Sequence, residues 1–510
     1  MCNPRSRAAV LAFLAVMTAQ MSGCWVQLPG APAGMDGVST PQDHAGEAGA
    51  ACPLLDPDSL QAMGFTVRWH AEMKESHPVR LYLGNRSFNS PVASSKPFQL
   101  VYVETEEATL HAFDRQDGCY RWIHPLLGRL QVPPGEGPAA AYVVSENGLE
   151  SLDPLTGRNL WSQRLPFRPV SEAVANDYYL GLSGSDGSVY AYKLRMSDDG
   201  ASGGVRQLHE ILWHWPVGNP LEVAPVIPPD AGSQMLGVGG DGVLVSRSLP
   251  EGSVRWRYPY QDGARSLQMG PVRSALAYDL LPMPGRGRPE CALFVGSMDH
   301  HLMALDPAGG TPLGGYLATD AIESKPLVVS YIRAGVSPDW TLVREVYCLS
   351  RDGDLASLRI EDAHRARRDA SGAPVMDDKK RLQWQSEGED ADDVTGGGLE
   401  ASAPAGGEAS TEGMSVRRPM RGIHWTFRTL WVAHDVARVV GRGRWGVFVE
   451  SSDGRLKYLD ESGRERWSRS LQGVQVLPTN PANPLREDGE ISALFLLDAS
   501  GVVWCLEEKR

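Results

Sequence analysis

The sequence predicts an all-β protein, an eight-bladed β-propeller, and three observations lead to this prediction. A two-strand hairpin pattern recurs eight times, a tryptophan-bearing strand follows many of the hairpins, and the two ends of the chain carry complementary halves of one repeat. The 510 residues are 42% hydrophobic and 22% charged, with 55 Gly and 37 Pro, as is typical of a large, turn-rich globular protein. Repeats at this spacing indicate one propeller rather than several separate domains.

Each hairpin is a pair of short apolar strands around a polar turn. Five turns place Asn-Gly or Asp-Gly between apolar runs, as in Ser185-Asp186-Gly187 and Ser452-Asp453-Gly454. This is the strongest short-range hairpin signal, because the central residues must accept a positive φ. The eight copies begin at Val101, Tyr142, Tyr179, Met235, Leu293, Val346, Val447 and Leu494.

A tryptophan-bearing strand after a Gly-containing turn forms the second part of the unit. It ends irregularly at Trp213 or Trp215, and the unit from Gly309 to Tyr316 keeps the turn but has no tryptophan. A strand marked by Pro precedes several hairpins, so each unit has about four strands, which is a propeller blade. A large ring at a fixed place in each blade is expected to pack against the next blade. We assign structural repeat positions to Trp69, Trp122, Trp161, Trp256, Trp384 and Trp467.

The two ends of the chain predict how the ring closes. A lone tryptophan strand lies at Thr66 to Trp69, and the hairpin from Leu494 to Leu506 has no tryptophan strand after it. Pairing of residues 66–73 with the strand around residues 502–506 would complete the eighth blade and leave no sheet edge open at the junction. The propeller is therefore expected over residues 65–510, as a monomer.

The first 23 residues have the layout of an export signal peptide. Arg5 and Arg7 precede an apolar run from Ala8 to Met17, which is shorter than the roughly 20 residues of a membrane-spanning helix. The segment Met21-Ser22-Gly23-Cys24 resembles the bacterial lipoprotein box, so Cys24 is the predicted lipid attachment site, with a plain secretory signal as the alternative. Residues 24–64 are predicted to be a flexible tether. The protein is expected at the periplasmic face of the cell envelope, with the outer membrane favoured over the inner.

Charge and cysteine usage exclude several classes of protein. The formal net charge is −13, whereas nucleic-acid binders need a basic face. Apart from Cys2 and Cys24, the five remaining cysteines are dispersed and contain no CxxC, which argues against metal, haem and redox sites. Cys348 and Cys505 lie in apolar strand patterns and are predicted to be buried. A disulfide among the five stays open.

Two insertions interrupt the repeats, near residues 361–381 and 386–421, and both are predicted to be disordered. The first is mixed in charge. The second holds eight acidic residues between Ser386 and Glu412, with no Lys or Arg. Two interpretations of this acidic segment remain open, a solvated surface loop and a docking segment for a basic partner or a cation.

The hairpins followed by TGxxLW-type strands resemble the PQQ-like β-propeller repeats of quinoprotein dehydrogenases and of BamB-type outer-membrane assembly lipoproteins. Membership in this family implies the propeller fold, but such propellers have unrelated activities. Dehydrogenases of the family hold their quinone with two adjacent cysteines, a stacking tryptophan, a calcium ion and a catalytic Asp. No two cysteines are adjacent in this sequence, which argues against that activity.

The remaining polar candidates have structural explanations. Asp153, Asp306 and Asp460 close their hairpins ahead of Gly turns and are expected to accept hydrogen bonds from local backbone. His300 and His301 are adjacent, so on a strand they would face opposite sides, and we interpret them as part of a turn rather than a metal site. The sequence contains no hydrolase or nucleotide-binding motif. No catalytic, cofactor-binding or metal-ligating residue is assigned, and no cofactor is expected.

Two functions from different classes follow. The first is a non-catalytic, protein-binding scaffold of the envelope whose partners are envelope proteins, with the β-barrel assembly machinery as the named candidate. The alternative is a PQQ-dependent dehydrogenase-like protein or a ligand sensor. The sequence leaves open whether a small ligand enters the central channel.

Overall fold

Strands make up almost all of the secondary structure in the computed structural model, and they form the eight blades that the sequence predicts. The described residues belong to one compact unit, which spans residues 39–510. The structure describes residues 57–73, 76–84, 86–89, 97–146, 148–196, 206–216, 223–228, 233–239, 241–258, 271–281, 290–334, 340–361, 364–366, 384–386, 425–471, 474–476 and 493–509.

A short helix and the first strand open the described chain, and four blades follow. Each blade is an antiparallel sheet in which sequential strands are neighbours. The elements, in order, are α1 (Pro57–Met63) and β1 (Phe65–Glu72); blade 1 with β2 (Pro78–Leu83), β3 (Leu100–Thr105), β4 (Thr109–Asp114) and β5 (Tyr120–Pro125); blade 2 with β6 (Gly135–Glu136), β7 (Ala141–Ser145), β8 (Gly148–Leu152) and β9 (Asn159–Arg164); blade 3 with β10 (Val174–Ala175), β11 (Tyr179–Ser183), β12 (Ser188–Met196) and β13 (Arg206–Pro216); and blade 4 with β14 (Gln234–Val238), β15 (Leu244–Ser248) and β16 (Val254–Tyr258).

The second half of the chain builds blades 5 to 8. In blade 4 the innermost strand is reduced to one bridge between Val226 and Leu236, whereas each of the later blades has four strands. The elements are blade 5 with β17 (Ala277–Leu281), β18 (Glu290–Gly296), β19 (His301–Leu305) and β20 (Pro312–Leu317); blade 6 with β21 (Leu327–Ala334), β22 (Trp340–Leu349), β23 (Leu355–Glu361) and β26 (Thr426–Ala433); a separate pair, β24 (His364–Ala366) and β25 (Trp384–Ser386); blade 7 with β27 (Val436–Arg442), β28 (Gly446–Ser451), β29 (Arg455–Asp460) and β30 (Glu465–Ser470); and blade 8 with β31 (Val474–Val476), β32 (Ala493–Asp498) and β33 (Val502–Glu508), joined by β1.

Blade 8 is shared between the two ends of the chain, as predicted. Strand β1 pairs antiparallel with β33, with Phe65 opposite Glu508, Trp69 opposite Cys505 and Glu72 opposite Val502. Strand β1, the first strand of the chain, is thus the outermost strand of the last blade, and main-chain hydrogen bonds close the ring.

Apolar side chains fill the spaces between blades. In the two middle strands of a blade almost every residue is buried, as in β3 and β32, whereas outer strands such as β9 are largely exposed. The buried clusters join residues of neighbouring sheets, for example Tyr142 of β7 with Leu180 and Tyr192 of blade 3. The core is therefore a series of layers between blades, which is how a propeller buries both faces of each sheet.

In five of the blades, a tryptophan ring packs against a glycine turn of the next blade. The ring of Trp256 in blade 4 lies against Gly310 in blade 5, whose φ is +68°, and a Cβ added to this glycine would come within 2.6 Å of the ring. The indole nitrogen of Trp256 donates a hydrogen bond to the carbonyl oxygen of Pro307 at 3.0 Å. The same ring-on-glycine contact joins Trp69 to Gly118, Trp122 to Gly157, Trp213 to Gly252 and Trp431 to Gly463. The predicted role of the repeat tryptophans in packing the next blade is thus visible at these positions.

Blade 7 has no such glycine turn to meet, because the chain ends lie at the corresponding place in blade 8. Helix α1 and the start of β1 occupy this place instead. Leu60, Met63 and Phe65 belong to one buried cluster with residues of blades 7 and 8. Trp467 packs edge-on against Phe65 at 5.9 Å, and the buried indole nitrogen of Trp467 has no hydrogen-bond partner among the described residues. Residues 57–63, predicted to be tether, are therefore part of the folded unit.

One repeat position differs from the sequence interpretation. Trp384 lies in β25, which pairs only with β24, and the outermost strand of blade 6 is β26. Trp431 of β26 makes the contact with Gly463, so it takes the position that the sequence analysis gave to Trp384. Residues 364–366, inside the first predicted disordered insertion, form a strand, while most of both insertions lies outside the described residues.

Candidate functional site

The turns of the blades divide into two sets that lie on opposite faces of the ring. Because strands alternate in direction, the turns between second and third strands lie on the same face as the connections from one blade to the next. We call this the hairpin face. The other face carries the turns between first and second and between third and fourth strands, and we call it the opposite face.

Carboxylates mark the hairpin face. Seven of the eight turns between second and third strands carry one, namely Glu107, Glu146, Asp186, Asp241, Asp299, Asp352 and Asp453. Most are held by local hydrogen bonds: Asp241 accepts one from the Val243 amide at 3.0 Å, and Asp352 accepts one from the Ser350 hydroxyl at 2.6 Å. These bonds fix the positions of the negative charges before any partner arrives.

Two histidines on the hairpin face bind carboxylates of neighbouring turns. His77 Nδ1 lies 2.8 Å from Glu107 Oε1, and His434 Nδ1 forms a short contact with Asp354 Oδ1. The hydrogen bond and charge of Glu107 raise the pKa of His77, and Asp354 likewise raises the pKa of His434. In return, His77 lowers the pKa of Glu107 to about 2. Each pair ties a loop between blades to a turn.

The two pairs predict a small pH dependence of stability. A raised histidine pKa in the folded protein stabilises it below the unfolded value of about 6.5 and loses that effect as the pH rises through the folded pKa. For the Glu107 pair, the effect is also lost as the pH falls from about 4.5 toward 2. The melting temperature of the double variant His77→Gln, His434→Gln should therefore be lower than that of the wild type at about pH 5.5 and equal to it at about pH 8.5. Circular dichroism at the two pH values measures this difference.

A matched variant is His214→Gln, which changes an exposed histidine that stacks on Tyr190. It should show no such pH-dependent difference. An equal melting difference at both pH values for the double variant would show that the imidazole charges are not involved.

Of the adjacent histidines, His300 lies in the turn, as interpreted from the sequence, whereas His301 is the first residue of β19. His300 has a φ of +73°, a conformation that glycine holds in the corresponding turns at Gly187, Gly242 and Gly353. The two imidazoles lie near different carboxylates, with His300 Nε2 3.9 Å from Asp320 and His301 Nδ1 3.3 Å from Asp299. In the part of the chain that the structure describes, no group of His, Cys, Asp and Glu side chains could hold a metal ion.

Exposed apolar side chains occur on both faces. Leu127 is 70% exposed and lies in the connection from blade 1 to blade 2, and Leu317 is 63% exposed and ends β20 at the hairpin face. Tyr178 and Trp445 are 67% and 55% exposed and lie in turns of the opposite face. Exposed apolar side chains ringed by polar groups are typical of protein interfaces.

The aspartates that close hairpins on the opposite face make the predicted backbone hydrogen bonds. Asp153 accepts from the Leu155 amide at 2.8 Å, Asp306 from Ala308 at 3.0 Å, and Asp460 from Ser462 at 2.8 Å. Hydrogen bonds from the hydroxyl and amide of Ser462 lower the pKa of Asp460 to about 2. These residues shape turns, which accounts for their recurrence.

Two predicted cysteine positions are confirmed. Cys348 and Cys505 are buried, and burial raises the pKa of each thiol to about 12. Cys24, the predicted lipid attachment site, lies outside the described residues, as does the acidic segment from 387 to 424. No helix among the described residues has the length and apolar character needed to cross a membrane.

Glu172 and Lys325, which the sequence analysis did not single out, lie in the connections that lead into blades 3 and 6. Glu172 precedes β10 and Lys325 precedes β21, the innermost strands of blades 3 and 6. Burial by surrounding protein raises the pKa of Glu172, and the charge of Lys325 partly offsets this effect.

A comparison with protein families gives one match. Residues 63–311, just under half of the chain, match the family model described as outer membrane protein assembly factor BamB. The matched range contains blades 1 to 4 and most of blade 5. This part of the chain therefore carries PQQ-like β-propeller repeats, and the resemblance seen in the sequence is confirmed.

The chain is similar to several solved structures at low sequence identity. BamB from Moraxella catarrhalis is 13% identical, with a TM-score of 0.46, over 85% of this chain and 97% of that one. A europium-containing methanol dehydrogenase is 13% identical, with a TM-score of 0.41, over 84% and 93%. The WD40 domain of SCAP from fission yeast is 10% identical, with a TM-score of 0.49, over 88% and 99%. No curated protein matches the chain.

Proposed function

We propose that this protein is a non-catalytic scaffold of the bacterial envelope that is anchored through an acylated Cys24 and binds other envelope proteins on its hairpin face. The proposal extends the BamB-like family match over residues 63–311 to the function of an outer-membrane assembly factor. The export signal and lipoprotein box in the sequence support the location. Components of the β-barrel assembly machinery are the candidate partners.

The observation that carries the proposal is the ring of seven carboxylates on the hairpin face. Local hydrogen bonds hold most of these charges in place, so a partner with a basic surface meets a prearranged pattern of opposite charge. Such complementarity raises association rates and selects among partners. Leu127 and Leu317 supply exposed apolar area on the same face.

The test is site-specific photo-crosslinking in the native envelope. A crosslinking amino acid at Leu317 is expected to capture assembly-machinery components or other envelope proteins. Tyr178 is the matched control, because its exposed fraction is similar and it lies on the opposite face. Equal adducts from Leu317 and Tyr178 would contradict a hairpin-face interface.

The same preparation tests the anchor and the alternative activity. Mass spectrometry of the mature amino terminus is expected to find acylated Cys24, and a free terminus elsewhere would disprove the anchor. The purified protein is expected to bind no PQQ and to oxidise no alcohol or sugar with added PQQ and calcium. PQQ-dependent oxidation without a recovered protein partner would favour the dehydrogenase-like alternative over the scaffold.

A further inference from the structure

The turn between the first two strands of blade 7 presents a tryptophan to solvent. Arg444 and Trp445 are its two central residues, and Trp445 is 55% exposed, whereas the tryptophans that pack between blades are buried or half-buried. The guanidinium of Arg444 lies over the indole ring, 4.9 Å from its centroid. An exposed aromatic ring with a cation beside it thus projects from the opposite face.

This turn is fixed by its neighbours. The Gly443 amide donates to the carbonyl oxygen of Gly446 at 2.8 Å, and the Trp445 amide donates to the hydroxyl of Tyr458 at 3.1 Å. The buried guanidinium of Arg442 donates to the carbonyl oxygens of Gly443 and Gly446, both at 2.6 Å. Because the backbone is already ordered, a partner that contacts Trp445 pays little conformational entropy for this turn.

The same turn lies beside the point at which the amino-terminal part of the chain enters the propeller. Phe65, the first residue of β1, pairs with Glu508, and the buried carboxylate of Glu508 accepts a hydrogen bond from the Arg444 amide. The predicted lipid attachment site, Cys24, precedes the start of α1 at Pro57 by about 30 residues, and a flexible tether of this length spans about 30 Å. An acyl chain on Cys24 would therefore hold this part of the opposite face near a bilayer.

Charge favours the opposite face for contact with an anionic bilayer. Such a surface attracts Lys and Arg and repels carboxylates, and the hairpin face carries its ring of seven carboxylates. Beside the entry point, by contrast, Arg444 and Lys509 are exposed, and within the described residues neither makes an ion pair. The neighbouring carboxylate of Glu507 lies 3.9 Å from the guanidinium of Arg68.

We propose that the turn of Arg444 and Trp445 docks on an anionic lipid bilayer, with the indole ring at the interface and the guanidinium on lipid phosphates. This contact rests on the proposed membrane anchor and adds an orientation to it, in which the hairpin face points away from the membrane. Tryptophan is favoured at membrane–water interfaces, and arginine holds phosphate oxygens in pairs. The tether makes the contact intramolecular, so weak contacts suffice to orient the protein.

Photo-crosslinking on vesicles tests this orientation. The chain after the predicted signal peptide, which keeps every described residue, carries a histidine tag in place of Cys24. Vesicles of phosphatidylethanolamine, phosphatidylglycerol and a nickel-chelating lipid hold this end whether or not Cys24 is acylated in the cell. Benzoylphenylalanine at Trp445 is expected to give phospholipid adducts, and at Leu317, which is 63% exposed on the hairpin face, none above background. No lipid adduct from position 445, or equal yields from the two positions, would overturn the proposal.

Charge variants test the contact with lipid phosphates. Arg444→Gln should lower the adduct yield from position 445 by up to about fivefold on these vesicles and leave it unchanged when phosphatidylcholine replaces phosphatidylglycerol. Arg129→Gln is the matched control, because it removes the same charge from an exposed residue of the hairpin face. Equal losses for the two variants would overturn the phosphate contact.

The native envelope separates a bilayer from a protein as the occupant. Position 445 is expected to give phospholipid adducts there as well, and protein adducts in their place would overturn the proposal. Phospholipid adducts from position 445 together with an unacylated Cys24 would disprove the proposed anchor and leave the bilayer contact standing. The two failures are therefore distinguishable.

Discussion

A variant chain that begins at Glu75 is expected to melt far below the wild type or to aggregate on purification. It lacks β1 and α1, and with them the buried side chains of Leu60, Phe65, Trp69 and Met73. Truncating one such side chain typically costs about 2–5 kcal/mol, so losing the set approaches the whole stability of an ordinary domain, about 5–15 kcal/mol. The loss also exposes the edge of β33, which is a template for intermolecular pairing. Thermal melting and size-exclusion chromatography measure both effects.

Two shorter truncations separate the contributions. A chain that begins at Pro57 keeps α1 and β1 and should melt like the wild type. A chain that begins at Phe65 lacks only α1 and should fall between the two, because Leu60 and Met63 leave the cluster around Trp467. A peptide of residues 57–73 added to the chain that begins at Glu75 should restore part of the melting temperature. Unchanged melting and monomeric elution of the chain that begins at Glu75 would contradict ring closure by β1.

Trp256→Ala is expected to destabilise the protein by about 3–5 kcal/mol, as measured by urea unfolding. Trp256 is 6% exposed, packs against Gly310 and donates its indole hydrogen bond to Pro307, so the change opens a cavity between blades 4 and 5. The control is Trp445→Ala, which removes a ring that is 55% exposed and should shift stability by no more than about 0.5 kcal/mol.

The glycine side of this contact can be tested with a pair of matched substitutions. Gly310 and Gly454 have φ values of +68° and +73°, so an alanine at either position carries a similar backbone cost of about 1–2 kcal/mol. A Cβ at Gly310 would also meet the ring of Trp256 at 2.6 Å, whereas one at Gly454 would have nothing within 4 Å. Gly310→Ala should therefore cost clearly more than Gly454→Ala. Equal costs would mean that the ring contact does not restrict the turn.

The sequence predicts the blades well because their signals are local. Alternating apolar residues and Asp-Gly turns specify hairpins without reference to the rest of the chain, and the lone strand around Trp69 is recognisable because its hairpin is missing. The assignment of Trp384 fails for the opposite reason. Residues 362–425 separate the third strand of blade 6 from its fourth, so the next tryptophan along the sequence is not the next one in the blade.

Charged residues at blade contacts are the features that the sequence does not reveal. Glu345 is 3% exposed and lies 3.2 Å from Arg359 and 3.5 Å from Arg442, which belongs to blade 7. In the sequence it follows Arg344 in the middle of a largely apolar strand, and nothing nearby identifies Arg442 as its partner.

The pairing of β1 with β33 determines when the protein can finish folding. The side chain of Thr66 bonds to the backbone of Glu507, 441 residues later, and a contact at such a separation forms late. During synthesis the amino-terminal segment emerges first and must wait for the last residues of the chain. Until then the flanks of blades 1 and 7 lack their neighbour, and the partly folded chain is open to misassociation. A chain cut short at its carboxyl end would therefore leave its first strand unburied as well as its last blade incomplete.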